Sequence, residues 1–480
     1  MKKKIQDIIS DLEYISIIGD ANMLVEELIF DSKKATSKSI FFAIRGTIHN
    51  GHDFVQNAYD NGCRVFVLES DMKLGADCVC IMVKNSSKFL ALASSSFYDA
   101  PSSKMNLIGV TGTNGKTTVA TLLHDLFTSL GHFVGLLSTV ENKIGQEVIP
   151  STHTTPDSVA INMLLHKMVQ EGCEYVFMEV SSHAIHQNRT LGLKFKGAVF
   201  TNISHDHLDY HKTFDAYFQA KAGLFDRVLP DEGYAVINID DPALDTFADQ
   251  LIARGTFTIR MGRDARADLR IEGTRFDGLG QDVRFTYQGK TYQKRLNLIG
   301  GFQAGNVLMA ALLVIAAGED PAHVFDTLEH LETVRGRMQF AAAREIGASV
   351  YVDYAHTPDA VKTALQAFRP HVMGRMIAII GAGGDRDATK RPLMAAEAVA
   401  NADFVIVSDD NPRSEDPATI RQMVMAGAKG AQHILEIGDR AEAILRAVDM
   451  LGAGDGLIIT GKGHETGQII GDDVLPFDDV

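Results

Sequence analysis

The sequence predicts an α/β protein of three domains, and three observations support this prediction. The chain has 480 residues, which is too many for one hydrophobic core and suggests two to four domains. Short apolar strand-like segments alternate with helix-like segments in most of the chain, a pattern typical of parallel sheets covered by helices. An apolar strand, a glycine-rich turn and a helix follow one another at residues 105–118. We expect a small N-terminal α/β domain at residues 1–100, a central P-loop domain with a mostly parallel sheet at residues 101–333, and a C-terminal Rossmann-like domain at residues 334–480.

Composition excludes several classes of protein. The formal net charge is −15 at pH 7, and no basic stripe is available to neutralise a nucleic-acid backbone. No run of about 18 apolar residues occurs, and Asp7 and Asp11 interrupt the segment after the N-terminal lysines, so neither a membrane span nor a signal peptide is expected. The four cysteines lack paired CxxC spacing, which favours free thiols. We expect a cytoplasmic monomer that binds small anionic molecules through local clusters of Arg and Lys.

The segment Met105–Thr118 has the features of a nucleotide-binding loop. Its glycines let backbone N–H groups turn toward a phosphate, Lys116 supplies a positive charge, and Thr117 offers a hydroxyl to Mg²⁺. The strict GxxxxGK(S/T) spacing fails, because its first glycine would fall on Val110. The order of strand, loop and helix nevertheless predicts a nucleoside triphosphate site. The expected contacts with the nucleotide are Gly112, Thr113, Asn114, Gly115, Lys116, Thr117 and Thr118.

Two later segments place polar side chains at the ends of predicted strands. The strand Tyr175–Met178 leads to Glu179, and the strand Ala198–Thr201 leads to a loop rich in His and Asp at Ser204–Asp209. Ligands bind at the carboxyl ends of strands in doubly wound sheets, so Glu179 is a candidate Mg²⁺ ligand. Zinc is the alternative for the His and Asp loop, although the lack of cysteine and the oxygen-rich surroundings favour Mg²⁺.

The N-terminal hundred residues carry a motif of their own. Asp31-Ser32-Lys33 is followed by Phe41–Gly46 and then by His49–Asp53. An ordinary turn-rich edge of a sheet is one interpretation of this pattern, and a ligand-binding loop is the other. Apolar strands and one helix, Asp53–Asn61, surround the motif.

The region after residue 334 repeats the arrangement of strand, loop and helix. Three polar motifs follow predicted strands, at Gly384–Arg386, Asp410–Arg413 and Gly461–Glu465. Because all three strands should be parallel, the motifs should lie on one edge of the sheet, here called the strand-end rim. The segment Gly381–Gly384 lacks the third spaced glycine of a dinucleotide fingerprint, so NAD is not expected. Before this region, residues 298–318 predict a turn and a long apolar helix, most of which should be core.

These motifs resemble those of the Mur ligase family. TGTNGKTT is similar to the variant phosphate loop of that family and of the folylpolyglutamate synthetases. The N-terminal motif resembles the pattern DSR…G.LFVA..G…DGHDF of the family's UDP-binding domain, with Lys33 in place of the usual arginine. The resemblance implies an ATP-dependent ligase that forms an acyl phosphate on a UDP-N-acetylmuramoyl dipeptide and then adds an amino acid, in peptidoglycan precursor synthesis.

The resemblance also implies roles for single residues. It makes Lys116, Lys221, His207 and Arg337 catalytic, and it makes Thr117, Glu179, His207 and a carbamylated Lys221 the Mg²⁺ ligands. Arg337 would bind ATP phosphates, Asp353 the ribose and Asn306 the adenine, although Gln303 departs from the family's first Asn in that element. The implied contacts of the UDP-N-acetylmuramoyl dipeptide are Ser32, Arg45, Gly46, Thr154, Thr155, Ser181, Gln187 and Arg189.

The strand-end rim resembles the amino-acid pocket of those Mur ligases that add meso-diaminopimelate. The implied contacts are Arg386, Asp410, Asn411, Pro412, Arg413, Gly461 and Glu465. Arg413 would pair with the distal carboxylate of diaminopimelate, which lysine lacks, and would repel the ammonium of lysine. The alternative is that Arg413 caps the following helix or pairs with Glu415.

Three rival functions stay open at this stage. A sister ligase that adds lysine or another amino acid would differ at Arg413. A folylpolyglutamate synthetase would share the phosphate loop without needing the N-terminal motif, and a nucleotide-dependent scaffold would not need the third domain's pocket. The chain also departs from the family at its end, where Phe477–Val480 replaces the usual FDDRE and a final helix, and this puts the packing of the last strand in question.

Overall fold

The computed structural model describes residues 1–46, 49–151 and 153–480. The chain separates into two compact units, unit 1 at Met1–Arg260 and unit 2 at Met261–Val480. The division into three domains remains a prediction. Within the described residues, no helix is both long enough and apolar enough to cross a membrane. All four cysteines are free thiols, as expected.

The N-terminal part of unit 1 forms a five-stranded sheet with its own core. Three helices accompany the sheet: α1 (Ile5–Ile9), α2 (Val55–Asp60) and α3 (Ser86–Phe97). The strands of this region are β1 (Lys3–Lys4), β2 (Ser16–Ile18), β3 (Leu24–Val25), β4 (Glu27–Ile29), β5 (Ser39–Phe42), β6 (Val65–Leu68) and β7 (Val79–Met82). The five-stranded sheet has the order β2-β7-β6-β5-β4, and β1 pairs with β3 in a separate two-stranded sheet. Every residue of β5 and β6 is buried, because both faces of the sheet are covered and a separate hydrophobic cluster packs on each face.

The remainder of unit 1 contains the predicted phosphate-loop sheet. Its strands run in the order β11-β10-β9-β12-β8-β13-β14. The strands are β8 (Asn106–Thr111), β9 (Val134–Leu137), β10 (Glu141–Ile144), β11 (Glu147–Pro150), β12 (Tyr175–Glu179), β13 (Gly197–Phe200) and β14 (Tyr234–Asn238). The helices are α4 (Lys116–Ser129), α5 (Ser158–Gln170), α6 (Ser182–His186), α7 (Leu208–His211), α8 (Phe214–Arg227) and α9 (Pro242–Ala253). The strands β9, β12, β8, β13 and β14 are parallel, so the predicted strand ends lie on one edge.

Unit 2 begins with an antiparallel meander. The strand β15 (Phe257–Gly262) crosses the boundary between the units and pairs in parallel with β16 (Leu269–Asp277). Then β17 (Gly280–Tyr287) and β18 (Lys290–Leu296) pair antiparallel in sequence. The long apolar helix predicted after residue 298 is α10 (Gly301–Ala316), most of it buried, and α11 (Pro321–Thr327) follows. This segment confirms the expected core helix.

The rest of unit 2 is a six-stranded sheet in the order β19-β20-β24-β21-β22-β23. The strands are β19 (Gln339–Ala343), β20 (Ser349–Asp353), β21 (Met376–Ile380), β22 (Phe404–Val407), β23 (Ile434–Glu436) and β24 (Gly456–Thr460). The helices are α12 (Pro358–Phe368), α13 (Lys390–Asn401), α14 (Pro417–Met425) and α15 (Arg440–Asp449). Asp416 and Asp439 begin α14 and α15 as N-caps, each accepting a backbone N–H with its side chain. A final hairpin, β25 (Gly467–Ile470) and β26 (Asp473–Pro476), follows the sheet.

Candidate active site

The phosphate loop is held tightly between β8 and α4. Gly112 has φ +149°, and a Cβ there would lie 1.9 Å from Thr201 Oγ1, so only glycine fits this turn. The Thr201 hydroxyl donates to the Asn114 carbonyl at 2.5 Å, and the Asn114 N–H donates to Asn202 Oδ1 at 2.9 Å. The residues after β13 therefore fix the shape of the loop.

Two lysine ammonium groups meet at one carbonyl of this loop. Lys116 Nζ donates to the Gly112 carbonyl at 3.0 Å and Lys221 Nζ donates to the same carbonyl at 2.6 Å. Lys221 is buried, and burial, followed by the charge of Lys116, lowers its pKa well below the ordinary value for lysine. The structure thus places both lysines predicted to be catalytic against the phosphate loop.

Glu179 lies at the end of β12, beside the loop, as its strand predicts. The parallel pairing of β12 with β8 sets Glu179 opposite Val110. The Thr117 hydroxyl donates to Glu179 Oε2 at 3.0 Å, and the Thr139 N–H donates to Oε1 at 2.6 Å. The carboxylate is fully buried. A hydroxyl and a carboxylate oxygen therefore sit together at the start of α4, a donor set that suits Mg²⁺.

His207 adopts a left-handed backbone conformation, φ +53°, immediately before α7. Its ring packs edge-on against His183, with centroids 4.8 Å apart. Its side chain is 48% exposed. Desolvation by the surrounding protein is the main cause that lowers its pKa; the Asp206 carboxylate opposes this, and the charges of Lys116 and Lys221 add to it. A lowered pKa favours the neutral imidazole, which has the lone pair that a metal ligand needs.

The zinc alternative has no ligand set in the described part of the chain. There, no group of three or more His, Cys, Asp or Glu side chains is arranged to hold a metal ion. The residues brought together at the phosphate loop offer oxygen donors from Thr117 and Glu179 instead, the preference of Mg²⁺ rather than of Zn²⁺.

Tyr217 is a buried residue of this site that sequence reasoning missed. Its hydroxyl lies 3.1 Å from Thr113 Oγ1, and Lys221 Nζ lies 4.7 Å from the centroid of its ring. Tyr217 and Lys221 stand four residues apart on α8, so both face the phosphate loop. That spacing is the signal in the sequence that could have identified Tyr217.

Hydrogen bonds connect four of the predicted dipeptide contacts around one loop, of which residue 152 lies outside the described residues. Thr155 Oγ1 donates to the Glu179 carbonyl at 2.8 Å and accepts from the Ser181 N–H at 3.1 Å. Arg189 donates to the Thr155 carbonyl at 2.7 Å and, through two nitrogens, to Gln187 Oε1. Thr154 neighbours Thr155 in the chain, and its hydroxyl accepts from the Thr139 hydroxyl at 3.1 Å.

The predicted UDP contacts in the N-terminal region occupy two separate turns. Ser32 is buried in a short turn that Asp31 caps by accepting the Lys33 N–H at 3.0 Å. The side chain of Arg45 forms an ion pair with Glu69 at 3.0 Å. In the described residues no hydrogen bond links Ser32 with Arg45 or Gly46. The predicted UDP contacts are therefore not connected to one another by hydrogen bonds there.

Arg337 lies just before β19, and Asp353 is the last residue of β20. The Arg337 guanidinium stacks over Tyr354, 4.7 Å from the ring centroid, and its buried Nε has no hydrogen-bond partner among the described residues. A buried donor left unpaired is costly, which suits a side chain that awaits an anionic ligand. Both oxygens of Asp353 accept backbone N–H groups, from Met338 at 2.8 Å and Ala355 at 2.9 Å, so Asp353 fixes the turn that carries Arg337.

Asn306 is buried in α10, where it donates to Gln303 Oε1 at 3.0 Å. Gln303 thus partners Asn306 at the position where the family has another Asn. The predicted contact with adenine remains a prediction.

The three motifs of the strand-end rim meet, as the parallel strands predict. The Gly384 N–H donates to the Asn411 carbonyl at 2.9 Å, and Arg413 Nη1 donates to the Gly384 carbonyl at 2.8 Å. A Cβ at Gly461 would lie 2.4 Å from Asp410 Oδ2. The strands β24, β21 and β22 are neighbours in the sheet, which brings the motifs within reach of one small molecule.

Arg413 is neither a helix cap nor the partner of Glu415. Asp416 caps α14, and Glu415 pairs with Arg391, whose guanidinium donates to it through two nitrogens at 2.7 and 2.8 Å. Arg413 has φ +54°, a left-handed conformation that is strained for a side chain other than glycine and that is found often at binding sites. Among the described residues no carboxylate pairs with its guanidinium.

Asp410 brings a buried carboxylate to the same rim. Its side chain is buried beside Gly461, and burial is the main cause that raises its pKa. The other carboxylate, Glu465, accepts from Asn411 Nδ2 at 2.8 Å. The rim therefore combines a guanidinium without a carboxylate partner with two carboxylates, the charges needed to bind a molecule that carries both ammonium and carboxylate groups.

The last residues of the chain are anchored beneath this rim, which answers the question raised by the departure from the FDDRE pattern. Arg440 donates to both oxygens of Asp479 at 2.6 Å and to the Thr460 carbonyl at 3.0 Å. Both side chains of the pair are fully buried. The pair ties the chain after β26 to the end of β24.

We expect Asp479→Asn to lower the free energy of unfolding by about 3–5 kcal/mol, because it leaves the Arg440 guanidinium buried without its counter-charge. The matched control is Asp478→Asn, which breaks the exposed pair with Arg335 and should cost about 0–1 kcal/mol. Urea unfolding followed by circular dichroism measures both. Equal shifts of the two unfolding midpoints would show that the buried ion pair contributes no more to stability than the exposed one, and would contradict the prediction.

Comparison with known proteins decides the family. The sequence profile of the Mur ligase middle domain matches residues 110–314, and that of the Mur ligase, glutamate ligase domain matches residues 336–463. The chain belongs to the Mur ligase family. Among its relatives in the Mur ligase family is the UDP-N-acetylmuramoyl-L-alanyl-D-glutamate–2,6-diaminopimelate ligase of Cytophaga hutchinsonii, 42% identical over 99% of this chain and 97% of the relative. The ligase of the same name from Caulobacter vibrioides is 41% identical over 94% of this chain and 93% of the relative.

Solved structures agree with membership of the Mur ligase family. A structure of a UDP-N-acetylmuramoyl-L-alanyl-D-glutamate–2,6-diaminopimelate ligase superposes with a TM-score of 0.73 at 31% identity and covers 100% of this chain and 97% of that chain. A Mycobacterium tuberculosis folylpolyglutamate synthase, solved with ADP and AMPPCP, has a TM-score of 0.62 at 19% identity and covers 77% of this chain and 91% of that chain. The similarity to the folylpolyglutamate synthase shows a shared fold and nothing more.

Proposed function

We propose that this Mur ligase uses ATP to join meso-2,6-diaminopimelate to the D-glutamyl γ-carboxylate of UDP-N-acetylmuramoyl-L-alanyl-D-glutamate, a step of peptidoglycan precursor synthesis. The relatives that carry this name span nearly the whole chain. The observation that carries the choice of amino acid is Arg413, whose guanidinium pairs with no carboxylate in the described chain and instead donates to the Gly384 carbonyl.

Diaminopimelate fits the charges of the strand-end rim. Its distal end carries an ammonium and a carboxylate, whereas the distal end of lysine carries an ammonium alone. Arg413 would bind the carboxylate through paired hydrogen bonds, and the carboxylates of Asp410 and Glu465 would offset the ammonium. The remaining contacts that we assign to diaminopimelate are Arg386, Asn411, Pro412 and Gly461.

ATP and Mg²⁺ belong at the phosphate loop. Backbone N–H groups of residues 112–118 and the ammonium of Lys116 would bind the phosphates. Thr117, Glu179, His207 and Lys221 would hold Mg²⁺, and the contact between Thr117 and Glu179 fits this role. When bound, the ion would supply positive charge next to the phosphate oxygens. Arg337, Asp353 and Asn306 are the remaining contacts that we assign to ATP.

The reaction proceeds in two displacements. An oxygen of the γ-carboxylate attacks the γ-phosphorus of ATP, the bond to the β,γ-bridging oxygen breaks, and ADP leaves. The amine of diaminopimelate then attacks the carbonyl carbon of the acyl phosphate, and phosphate leaves with the former carboxylate oxygen as the amine loses a proton. Lys116 and Arg337 stabilise the negative charge on the transferred phosphoryl group. The other residues act mainly by positioning the substrates.

A carbamate on Lys221 would remove the repulsion between two neighbouring ammonium groups at the phosphate loop. Lys116 and Lys221 present two ammonium groups to one carbonyl, and Lys221 is buried. Addition of CO₂ to the Lys221 amine, with loss of a proton, replaces one of these cations by a carboxylate-like oxygen donor for Mg²⁺.

We expect Lys221→Ala to lower the rate of ligation by about 10- to 100-fold, since the loss resembles removal of a group that supports a metal. Formate or acetate should restore part of the activity by filling the vacated space. Labelling with ¹³C-bicarbonate should give a carbamate signal in the NMR spectrum of the unchanged protein and none in the variant. The control is Lys196→Ala, at an exposed lysine. Full activity of Lys221→Ala without added carboxylate would disprove the assignment.

The proposed function is tested by omission. ADP release should require ATP, the UDP-N-acetylmuramoyl dipeptide and diaminopimelate together, because the acyl phosphate is consumed only by the amine. A nucleotide-dependent scaffold would release ADP without the amino acid, or would release none. A folylpolyglutamate synthetase would need a folate in place of the UDP-linked substrate.

A further inference from the structure

Lys462 is a buried lysine in the strand-end rim that the predicted contacts do not include. It follows β24 between Gly461 and Gly463, and its side chain is fully buried. Its Nζ donates to Asn411 Oδ1 at 3.1 Å, to Glu465 Oε2 at 3.3 Å and to the Gly467 carbonyl at 2.5 Å. An ammonium has three N–H donors, so every donor of Lys462 has an acceptor.

The bonds of Lys462 determine which way the amide of Asn411 points. Asn411 Oδ1 accepts from Lys462 and from the Ile469 N–H at 2.9 Å. Its Nδ2 therefore faces the other way, where it donates to Glu465 Oε2 at 2.8 Å. Lys462 thus holds Glu465 twice, once directly and once through Asn411.

The same ammonium also joins the final hairpin to the rim. Gly467, whose carbonyl Lys462 binds, begins β25. Within β25, the Ile469 carbonyl accepts from the Arg413 N–H at 3.0 Å, and just after β25 the Gly471 N–H donates to the Arg413 carbonyl at 2.8 Å. One side chain therefore links three parts of the pocket: the loop that carries Asn411 and Arg413, the carboxylate of Glu465, and the hairpin.

Burial of an ammonium is expensive, and a well-packed apolar side chain would often give equal or greater stability at such a place. Lys462 also lies beside the buried carboxylate of Asp410, whose pKa its charge lowers against the larger effect of burial. We propose that Lys462 is a positioning residue that sets Glu465 and Asn411 for recognition of the amino-acid substrate. This inference rests on the proposed function.

We expect Lys462→Met to raise the KM for diaminopimelate by about 10- to 100-fold, because hydrogen bonds to charged groups are among the strongest in proteins. The KM for ATP and that for the UDP-N-acetylmuramoyl dipeptide should change by less than about 2-fold, because Lys462 contacts none of the residues assigned to them. Lys429→Met, at an exposed lysine of the same unit, should change none of the three. A general loss of structure would instead raise all three KM values or lower the folded fraction.

A double-mutant cycle with Glu465→Gln separates positioning from packing. If Lys462 acts through Glu465, adding Lys462→Met to Glu465→Gln should raise the KM for diaminopimelate by less than about 3-fold further. Fully additive effects would overturn the inference. If Lys462→Met does not fold, Lys462→Gln is tested instead, because the glutamine amide keeps two hydrogen-bond donors without the positive charge. It should raise the KM for diaminopimelate about 3- to 10-fold, and an unchanged value would overturn the inference.

The wild-type protein is assayed first, so that a failure of the proposed function can be distinguished from a failure of the role proposed for Lys462. Lack of diaminopimelate-dependent ADP release in that protein would contradict the proposed function. Normal release, together with an unchanged KM for diaminopimelate in Lys462→Met, would contradict only the role of Lys462.

Discussion

Replacement of Lys116 by alanine is expected to lower ATP turnover by about 10³- to 10⁵-fold, the range seen when a cation that stabilises a transferred phosphoryl group is lost. Lys116 begins α4 and reaches back to the carbonyls of Gly112 and Thr113, at 3.0 and 2.8 Å. Its ammonium is therefore held where the phosphates of ATP are expected to bind. Binding of the UDP-N-acetylmuramoyl dipeptide should be retained, because the residues assigned to it lie outside the phosphate loop.

The two effects are measured separately on the folded variant. ATP turnover is measured as ADP release, and affinity for the UDP-linked dipeptide is measured by calorimetric titration without ATP. Lys104→Ala, at an exposed lysine just before β8, serves as the control and should change neither. Equal loss of ATP turnover and of dipeptide binding in Lys116→Ala would contradict the division of labour proposed for the two sites.

Replacement of Arg413 by alanine is expected to lower kcat/KM for diaminopimelate by about 30-fold to several thousand-fold. Removing one partner of a desolvated charge pair costs on the order of 2–5 kcal/mol. Use of lysine should stay the same or rise, because the repulsion between the guanidinium and the lysine ammonium is also removed. The metal site and the phosphate loop should be unaffected.

The backbone conformation at Arg413 affects the choice of substitution. Arg413 has φ +54°, so alanine keeps the strain of a Cβ in this conformation, whereas glycine would also relax the loop. Arg413→Lys keeps the charge but loses the paired donors, and its activity should be intermediate. Arg446→Ala, at an exposed arginine of α15, is the matched control. If the values for diaminopimelate and lysine fall by the same factor, Arg413 is structural and the choice of amino acid is unsupported.

Much of the fold follows from local patterns. The apolar runs before the phosphate loop and before Glu179 predict strands that the structure places at Asn106–Thr111 and Tyr175–Glu179. Strands buried on both faces are continuous in hydrophobicity, which makes them easy to recognise. The sequence does not predict the final hairpin, because β25 and β26 have only four residues each and lack the alternation of apolar and polar residues that marks a half-buried strand.

The convergence of the rim motifs follows from topology, but their supporting contacts do not. The parallel order of the strands suffices to predict that Gly384, Asp410 and Gly461 lie together. Whether Lys462 is buried, or whether Arg440 meets Asp479, depends on side chains from distant parts of the chain. No local periodicity records such contacts, and lysine and arginine are normally solvent-exposed.

The proposed reaction differs from that of a sister ligase in the amino acid that is joined, which is diaminopimelate rather than lysine. The most direct measurement is a competition in which the purified protein receives ATP, Mg²⁺, the UDP-N-acetylmuramoyl dipeptide, and equal concentrations of diaminopimelate and lysine. Mass spectrometry of the UDP-linked product then identifies the amino acid that was joined, and ADP is measured in the same sample. The expected product carries diaminopimelate and forms in equal amount to ADP. A product that carries lysine, or ADP formed without any new UDP-linked peptide, would contradict it.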